Sequence, residues 1–394
     1  MMDIWLDMRR MLGDLAANNL LRRAVILDSA AGPRVNVGGR SLLCLSSNDY
    51  LGLANDPAVR AAAQEAVQRW GVGTGASRLI SGTTALHVQL EERLAAFKGT
   101  AAAILTSTGW VANHVAVHAL AGPGDIVLCD KLNHASILDA ARSSGAAMRS
   151  YRHGDLDRLE ELLRKHRGGH QRCLIATDSL FSMDGDLAPL AQLVELKYRY
   201  DAQLLIDEAH ATGVIGPQGR GVAEAMGVEE HVDAAVGTLS KALGAMGGFV
   251  AARSELIDTI RNTSRAYIYT TALPAMICAA ALTALEIVQT QPQRRANLLA
   301  LAGQLRTGLA AMGIDTANSA SQICPVVIGS AARALAVSAG LMDRGFFVVA
   351  IRPPTVPRGT SRLRISLSTD HTADDVAQLL AAIGAVISGS VAVP

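Results

Sequence analysis

Leu205-Ile206-Asp207-Glu208-Ala209-His210 is an apolar run that closes on two acids, with a histidine after one alanine. A second run, residues 234–237, leads into Thr238-Leu239-Ser240-Lys241, which places a lysine 34 residues after Asp207. Runs of the same kind lie at 101–105, 125–129, 173–177, 203–206 and 248–251, with helical stretches between them. They are short and lack two-residue alternation, the signature of buried strands in a mostly parallel sheet covered by helices on both faces. In such a sheet functional groups collect just beyond the carboxyl ends of the strands. Asp207 and Lys241 both fall there.

Separately, each residue has a plain reading as a strand-end salt bridge or a surface lysine. Together, an Asp ending a strand, a His three residues on and a Lys after a later strand are the groups needed to hold pyridoxal phosphate (PLP). The carboxylate keeps the pyridine nitrogen protonated, which makes the ring a stronger electron sink. The lysine forms a Schiff base with the aldehyde and becomes a proton-transfer group once a substrate amine displaces it.

Neighbouring segments add to this. Ile104-Leu105-Thr106-Ser107-Thr108-Gly109-Trp110 runs from a strand through small polar residues and Gly into a helix. The N–H groups and positive dipole end of that helix suit a phosphate. His134, in Cys129-Asp130-Lys131-Leu132-Asn133-His134, could stack on an exposed ring face. Gly71-Val72-Gly73-Thr74-Gly75 lacks the G-x-G-x-x-G spacing and the preceding strand of a dinucleotide site, which disfavours a nicotinamide-dependent oxidoreductase; a loop lining a site is the better reading. His114 and His118 lie four apart without the glutamate of a zinc motif, and are read as core histidines. The Met183-Asp184-Gly185-Asp186 segment lacks the other calcium-loop ligands and is read as a turn.

Composition bounds the partners. The 394 residues carry 36 Lys+Arg and 35 Asp+Glu, a net charge of +1, so no bulk attraction to nucleic acid or to an acidic membrane follows. Aromatic residues at 4% speak against stacked-base recognition. Five scattered cysteines without a C-x-x-C pair suit core thiols in a reduced, cytoplasmic setting. The N-terminus interrupts its apolar residues with Asp3, Asp7, Arg9 and Arg10, unlike a signal peptide. The most apolar stretch, 274–286, falls short of the roughly 20 residues that cross a bilayer.

The spacing predicts a helix over about 3–23 and an extended segment within an N-terminal region, 1–60. A large α/β domain follows over 61–270. Residues 271–394 form a linking helix and a small α+β domain, with helices at 275–290, 294–312, 331–344 and from 372, and strands at 323–328, 346–351 and 362–368.

Several segments taken together resemble the α-oxoamine synthases, PLP enzymes of the aspartate-aminotransferase fold type I. They are Ser47-Asn48-Asp49-Tyr50-Leu51-Gly52, Phe181-Ser182-Met183-Asp184-Gly185-Asp186, Asp207-Glu208-Ala209-His210-Ala211-Thr212-Gly213, Thr238 to Lys241, and Ile351-Arg352-Pro353-Pro354-Thr355-Val356-Pro357. The resemblance implies a mostly parallel seven-stranded sheet, a smaller C-terminal domain and a homodimer. It makes Lys241 the Schiff-base lysine, Asp207 the pyridinium partner, His210 a partner of the ring hydroxyl and His134 the stacking residue. Gly109, Trp110 and Thr238 hold the phosphate, with Thr271 contributed by a second subunit, and Ser182 sits by the ring oxygen. Arg352 and Asn48 bind the amino-acid carboxylate, while Arg22 and Thr355 contact substrate. Trp110 is bulkier than the aromatic residue that family pattern suggests, and Ser240 replaces a residue that is often Gly. The Ile351 to Pro357 segment points to the biotin-pathway branch, which condenses L-alanine with pimeloyl-CoA or a pimeloyl carrier protein. The alternative within the family takes glycine and acetyl-CoA.

Overall fold

The computed structural model describes residues 3–389; the outermost parts of the expected N- and C-terminal regions, 1–2 and 390–394, lie outside the described residues. In chain order the strands are β1 (Arg34–Val37), β2 (Arg40–Cys44), β3 (Ala102–Thr106), β4 (Ile126–Asp130), β5 (Ala147–Tyr151), β6 (Cys173–Asp178), β7 (Gln203–Asp207), β8 (Ala234–Thr238), β9 (Gly248–Ala252), β10 (Ile323–Gly329), β11 (Phe346–Phe347), β12 (Ala350–Ile351) and β13 (Ser361–Ser366).

The chain divides into two compact units, each discontinuous in sequence. The larger contains Asp49–Ser182 and Leu187–Ala296; the smaller contains Met1–Asn48, Met183–Asp186 and Asn297–Pro394. This departs from three consecutive stretches with boundaries at 60 and 270. The reason lies partly in strand pairing: β11 lies parallel to β2, with Phe346 opposite Leu43 and Phe347 opposite Cys44. The N-terminal segment is thereby built into the same small unit as the C-terminal stretch.

In the larger unit one seven-stranded sheet has the order β3-β9-β8-β7-β6-β4-β5. Only β9 runs antiparallel to its neighbours, and the pairs among β8, β7, β6, β4 and β5 are parallel. Val127, Leu174, Leu205 and Val250 are wholly buried, in one cluster with Val115 and Ala116 of the helix Gly109–Leu120. Each aliphatic side chain so enclosed contributes about 1.5–3 kcal/mol relative to exposure. Six of the strands coincide with the apolar runs. The seventh, β5, escaped because Arg149 and Ser150 are exposed on this edge strand and break the apolar signal.

The smaller unit has two three-stranded sheets, β1-β2-β11 and β10-β13-β12. The single strand expected over 346–351 is therefore two short ones in different sheets. The first helix is Ile4–Ala17 rather than 3–23. Its stop is conformational, since Asn19 has φ +58°, left-handed backbone that ends an α-helix. All five cysteines are buried and unpaired, and burial pushes the Cys129 thiol up to about 12. Among the described residues no helix is long and apolar enough to cross a membrane.

Candidate active site

The parallel strands of the larger sheet deliver polar residues to one rim. Thr106, Asp130, Asp178, Asp207 and Thr238 are the last residues of β3, β4, β6, β7 and β8. Asp178 and Asp207 are register partners across β6 and β7.

Asp207 is 5% exposed. Its Oδ2 accepts from Asn113 Nδ2 at 2.6 Å and its Oδ1 from the Ala209 N–H at 2.7 Å. Both donors are neutral, so a cation placed against this carboxylate would gain most of its Coulomb attraction. His210, three residues on, is buried; its Nδ1 lies 2.7 Å from Tyr50 Oη and its Nε2 2.9 Å from Lys241 Nζ. The expected acid, histidine and lysine thus come together, with Tyr50 as a member that the spacing did not announce.

The phosphate end forms where β3 turns into the helix Gly109–Leu120. Thr108 caps that helix, its hydroxyl accepting from the Val111 N–H at 3.2 Å. The Gly109 and Trp110 amides belong to the first turn, which lacks intrahelical partners, and suit an anion. A Cβ at Gly109 would lie 3.4 Å from Thr238 Cβ, an ordinary contact distance, so the helix start abuts that residue. Thr238 Oγ1 donates to the Gly247 carbonyl at 2.7 Å and accepts from the Ser240 N–H at 3.1 Å. Ser240 Oγ accepts from the Gly247 N–H at 3.1 Å, so serine here braces the loop that carries Lys241.

His134 caps the helix Ala135–Ser143 and donates its N–H to Asp178 Oδ2 at 2.7 Å. Its ring stands edge-on to Trp110, centroids 5.9 Å apart. Part of the residue is exposed, yet desolvation of the ring disfavours the charged form and lowers its pKa, against the attraction of Asp207 and with the repulsion of Lys241. Asp178 is wholly enclosed; burial first, then the charge of Asp207, raise its carboxyl well above the usual range. Ser182 is half-buried in the segment after β6, and Thr271 is exposed and bridges Ser77.

The remaining predicted residues belong to the smaller unit. Arg22 Nη2 donates to the Pro353 carbonyl at 3.1 Å and to Thr355 Oγ1 at 3.4 Å. Arg352 donates to the carbonyls of Asn19 and Leu21, and burial followed by the nearby Arg22 lowers its pKa. Arg22, Arg352 and Thr355 therefore cluster. Asn48 takes a different partner, Arg364, whose Nη1 donates to Asn48 Oδ1 at 3.1 Å and to Ser366 Oγ at 2.8 Å.

Tyr50, Asn113, Asp178 and Arg364 were not among the predicted site residues. Asp178 had a signal, since the strand-end rule that selected Asp207 applies equally to it. His114 and His118, expected in a core, are half-buried instead, with ring centroids 4.0 Å apart.

The donor set fits a phosphorylated pyridine aldehyde. A buried carboxylate with neutral donors suits a ring nitrogen cation, a lysine suits an aldehyde carbon, and a helix N-terminus beside Thr238 suits a phosphate. The profile of the aminotransferase class I and II family matches residues 40–383. The chain is 52% identical to the 8-amino-7-oxononanoate synthase of Anaeromyxobacter dehalogenans over 373 residues, 95% of this chain and 93% of that one. Among solved structures it resembles a serine palmitoyltransferase from S. paucimobilis with bound PLP-myriocin aldimine, at a TM-score of 0.93 and 32% identity, covering 98% of each chain. It also resembles the 8-amino-7-oxononanoate synthase of Francisella tularensis, at a TM-score of 0.77 and 27% identity, covering 89% of this chain and 98% of that one.

Proposed function

The chain belongs to the aminotransferase class I and II family, and from that premise we propose that it is a PLP-dependent acyltransferase that condenses L-alanine with a pimeloyl thioester, releasing carbon dioxide and forming 8-amino-7-oxononanoate. The near full-length likeness to the Anaeromyxobacter synthase carries this choice of reaction, because the groups around Lys241 serve the family's PLP chemistry in general.

Bound PLP supplies a protonated ring that stabilises negative charge developing at the alanine α-carbon. Asp207 would hold the proton on the ring nitrogen, as a buried carboxylate favours the cation beside it. Lys241 Nζ would hold the aldehyde carbon and, as a free amine, would take the α-proton as a general base. His210 would hydrogen-bond to the ring hydroxyl oxygen, with Ser182 near it, and His134 would cover one ring face as a neutral imidazole. The Gly109 and Trp110 amides would hold the phosphate, with the Thr238 hydroxyl turning to it from the Gly247 carbonyl and Thr271 supplied by the second subunit of a homodimer. Arg352 and Asn48 would orient the alanine carboxylate, and Arg22 and Thr355 would contact substrate. A guanidinium fork suits a carboxylate better than an ammonium does. We assign the enzyme to the cytoplasm, in keeping with its unpaired cysteines.

The likeness to serine palmitoyltransferase favours a second reading, with serine and a longer acyl chain. The test offers the purified holoenzyme L-alanine, glycine or L-serine with pimeloyl-, acetyl- or palmitoyl-CoA, and follows free thiol and product mass. The highest kcat/KM for L-alanine with pimeloyl-CoA is the expected result; a higher value for another pair overturns the assignment. A pimeloyl carrier protein assayed beside pimeloyl-CoA identifies the preferred donor.

A further inference from the structure

Two side chains connect His134 to Asp207. Asn113 lies in the helix Gly109–Leu120 and Ser136 in the helix Ala135–Ser143, and each is 1% exposed. Asn113 Nδ2 faces two oxygens, Asp207 Oδ2 at 2.6 Å and Ser136 Oγ at 2.9 Å. A carboxylate only accepts, so the atom turned to it is the amide nitrogen, and the second amide hydrogen goes to the serine. Asn113 Oδ1 is buried and has no donor among the described residues. Buried polar atoms are seldom left in that state; the amide is held in place by the two bonds that it donates.

Ser136 Oγ accepts from Asn113, and its other partner among the described residues is His134 Nδ1 at 2.7 Å. A ring N–H directed at this oxygen would leave the buried hydroxyl proton without an acceptor, a costly loss. The Ser136 backbone N–H points at the same Nδ1 from 3.3 Å, and a backbone N–H only donates. Both observations make Nδ1 the acceptor, which puts the proton of the neutral imidazole on Nε2. We propose that Asn113 and Ser136 are positioning residues that hold His134 as the Nε2–H tautomer, with one amide serving both this ring and the Asp207 carboxylate. A ring held in this way presents a neutral face, and its one hydrogen to give is on Nε2. The proposal rests on the assignment of His134 and Asp207 to the PLP site and deepens it. Of the other groups about the ring, Asp207 favours its charged form and Lys241 opposes it; Asp178, kept protonated, takes the His134 backbone N–H, and Trp110 meets it edge-on.

The test uses the cofactor-free full-length protein. In 15N-histidine spectra of wild type, with the His134 signals identified by their loss in His134→Phe, Nε2 should be protonated and Nδ1 bare. Ser136→Ala removes a donor that favours the neutral ring, so the His134 pKa should rise by about one unit. Ser136→Thr keeps the hydroxyl and should stay near wild type. Asn113→Leu frees the serine hydroxyl to accept from the ring, so both tautomers should appear. Wild-type His134 protonated on Nδ1 overturns the proposal, a result that stands even if a variant does not fold. So does a tautomer and pKa common to wild type, Ser136→Ala and Asn113→Leu, and so does an equal pKa rise in Ser136→Thr, which would assign the effect to packing. Adding PLP tests the underlying assignment separately: His134 signals that do not move when the cofactor binds would show that this ring does not cover it, with the tautomer already decided in its absence.

Discussion

Asp178 and Asp207 end adjacent parallel strands as register partners, and their environments divide the work between them. Asp207 is placed to hold a cation. Asp178 is enclosed beside that charge, so its carboxyl keeps its proton well above the usual range while its Oδ2 still accepts the His134 N–H. A neutral acid thus fixes the backbone of His134 without adding a second negative charge beside Asp207.

This division is visible in the pH dependence of stability. Between the unfolded carboxyl pKa of about 3.9 and the raised folded value, the native state keeps a proton that the unfolded chain has released. The Asp178 contribution therefore falls as pH rises through that window, by about 1.4 kcal/mol per unit. Asp178→Asn abolishes the slope and retains an acceptor for His134. Urea unfolding should show the variant gaining on wild type as pH rises above the unfolded carboxyl pKa of about 3.9; a constant difference between the two proteins would mean that Asp178 is ionised when folded.

Gly248 lies under the turn expected to hold the phosphate. A Cβ at this position would come within 2.5 Å of the Thr108 carbonyl oxygen and 2.6 Å of the Gly109 nitrogen. Both are backbone atoms, so the turn itself must move. Gly248→Ala should cost about 1–3 kcal/mol of stability and also weaken PLP binding, read by titration of the cofactor-free protein. Lost stability with unchanged PLP affinity would separate this turn from the phosphate.

Lys98 and Glu208 are buried groups of opposite charge behind the Asp207 strand end, which attract each other without forming a direct ion pair. Lys98 Nζ donates to Thr212 Oγ1 at 2.9 Å and to the Arg220 carbonyl. Glu208 accepts from the Val222 and Ala223 N–H groups at 3.0 and 3.1 Å. Burial depresses the lysine pKa and raises that of the glutamate, while each group's charge supports the other's. Lys98→Met removes the Thr212 and Arg220 contacts together with that attraction and should cost about 1–3 kcal/mol. Adding Glu208→Gln should recover part of that loss in thermal unfolding; simple addition of the two single-variant costs would show that the pair is not coupled.

Local sequence carried most of the sheet and part of the site. Asp207, Thr238, Lys241 and His134 could be proposed because strand ends and helix starts are local features, set by apolar runs and capping residues. Tyr50 could not be placed at the site that way, because its partner His210 lies 160 residues away and only the folded chain joins them. The same holds for Arg364, which reads as one more charge in a strand until β13 brings it to Asn48. Residues 346–351 looked like one strand because the apolar signal is continuous, whereas two different pairing partners divide it.

Lys241 is the sharpest test of the cofactor assignment. Lys241→Ala should leave no covalent link to PLP, so borohydride treatment of the wild-type holoenzyme adds the cofactor mass to the protein and treatment of the variant does not. Turnover should fall to background, since the nitrogen that takes the α-proton is gone. A reducible link persisting in the variant would assign the role to another lysine.

The alanine carboxylate distinguishes two arginines of the smaller unit. Arg352, assigned to it above, spends its guanidinium on the carbonyls of Asn19 and Leu21; to bind substrate it must exchange those neutral acceptors for a charged one, a favourable trade for an ion. Arg364 is 7% exposed and already bonded to Asn48, so it orients the amide expected at the same carboxylate. Arg352→Leu should raise the KM for alanine roughly ten- to a hundredfold, the loss of a charge-assisted bond of about 1.5–3 kcal/mol, while PLP affinity and the KM for the acyl donor stay near wild type. Arg364→Leu should act in the same direction by a smaller factor, through Asn48. If Arg364→Leu has the larger effect and Arg352→Leu leaves the alanine KM unchanged, the carboxylate belongs to the Asn48–Arg364 pair, and Arg352 serves to tie down the segment after the first helix.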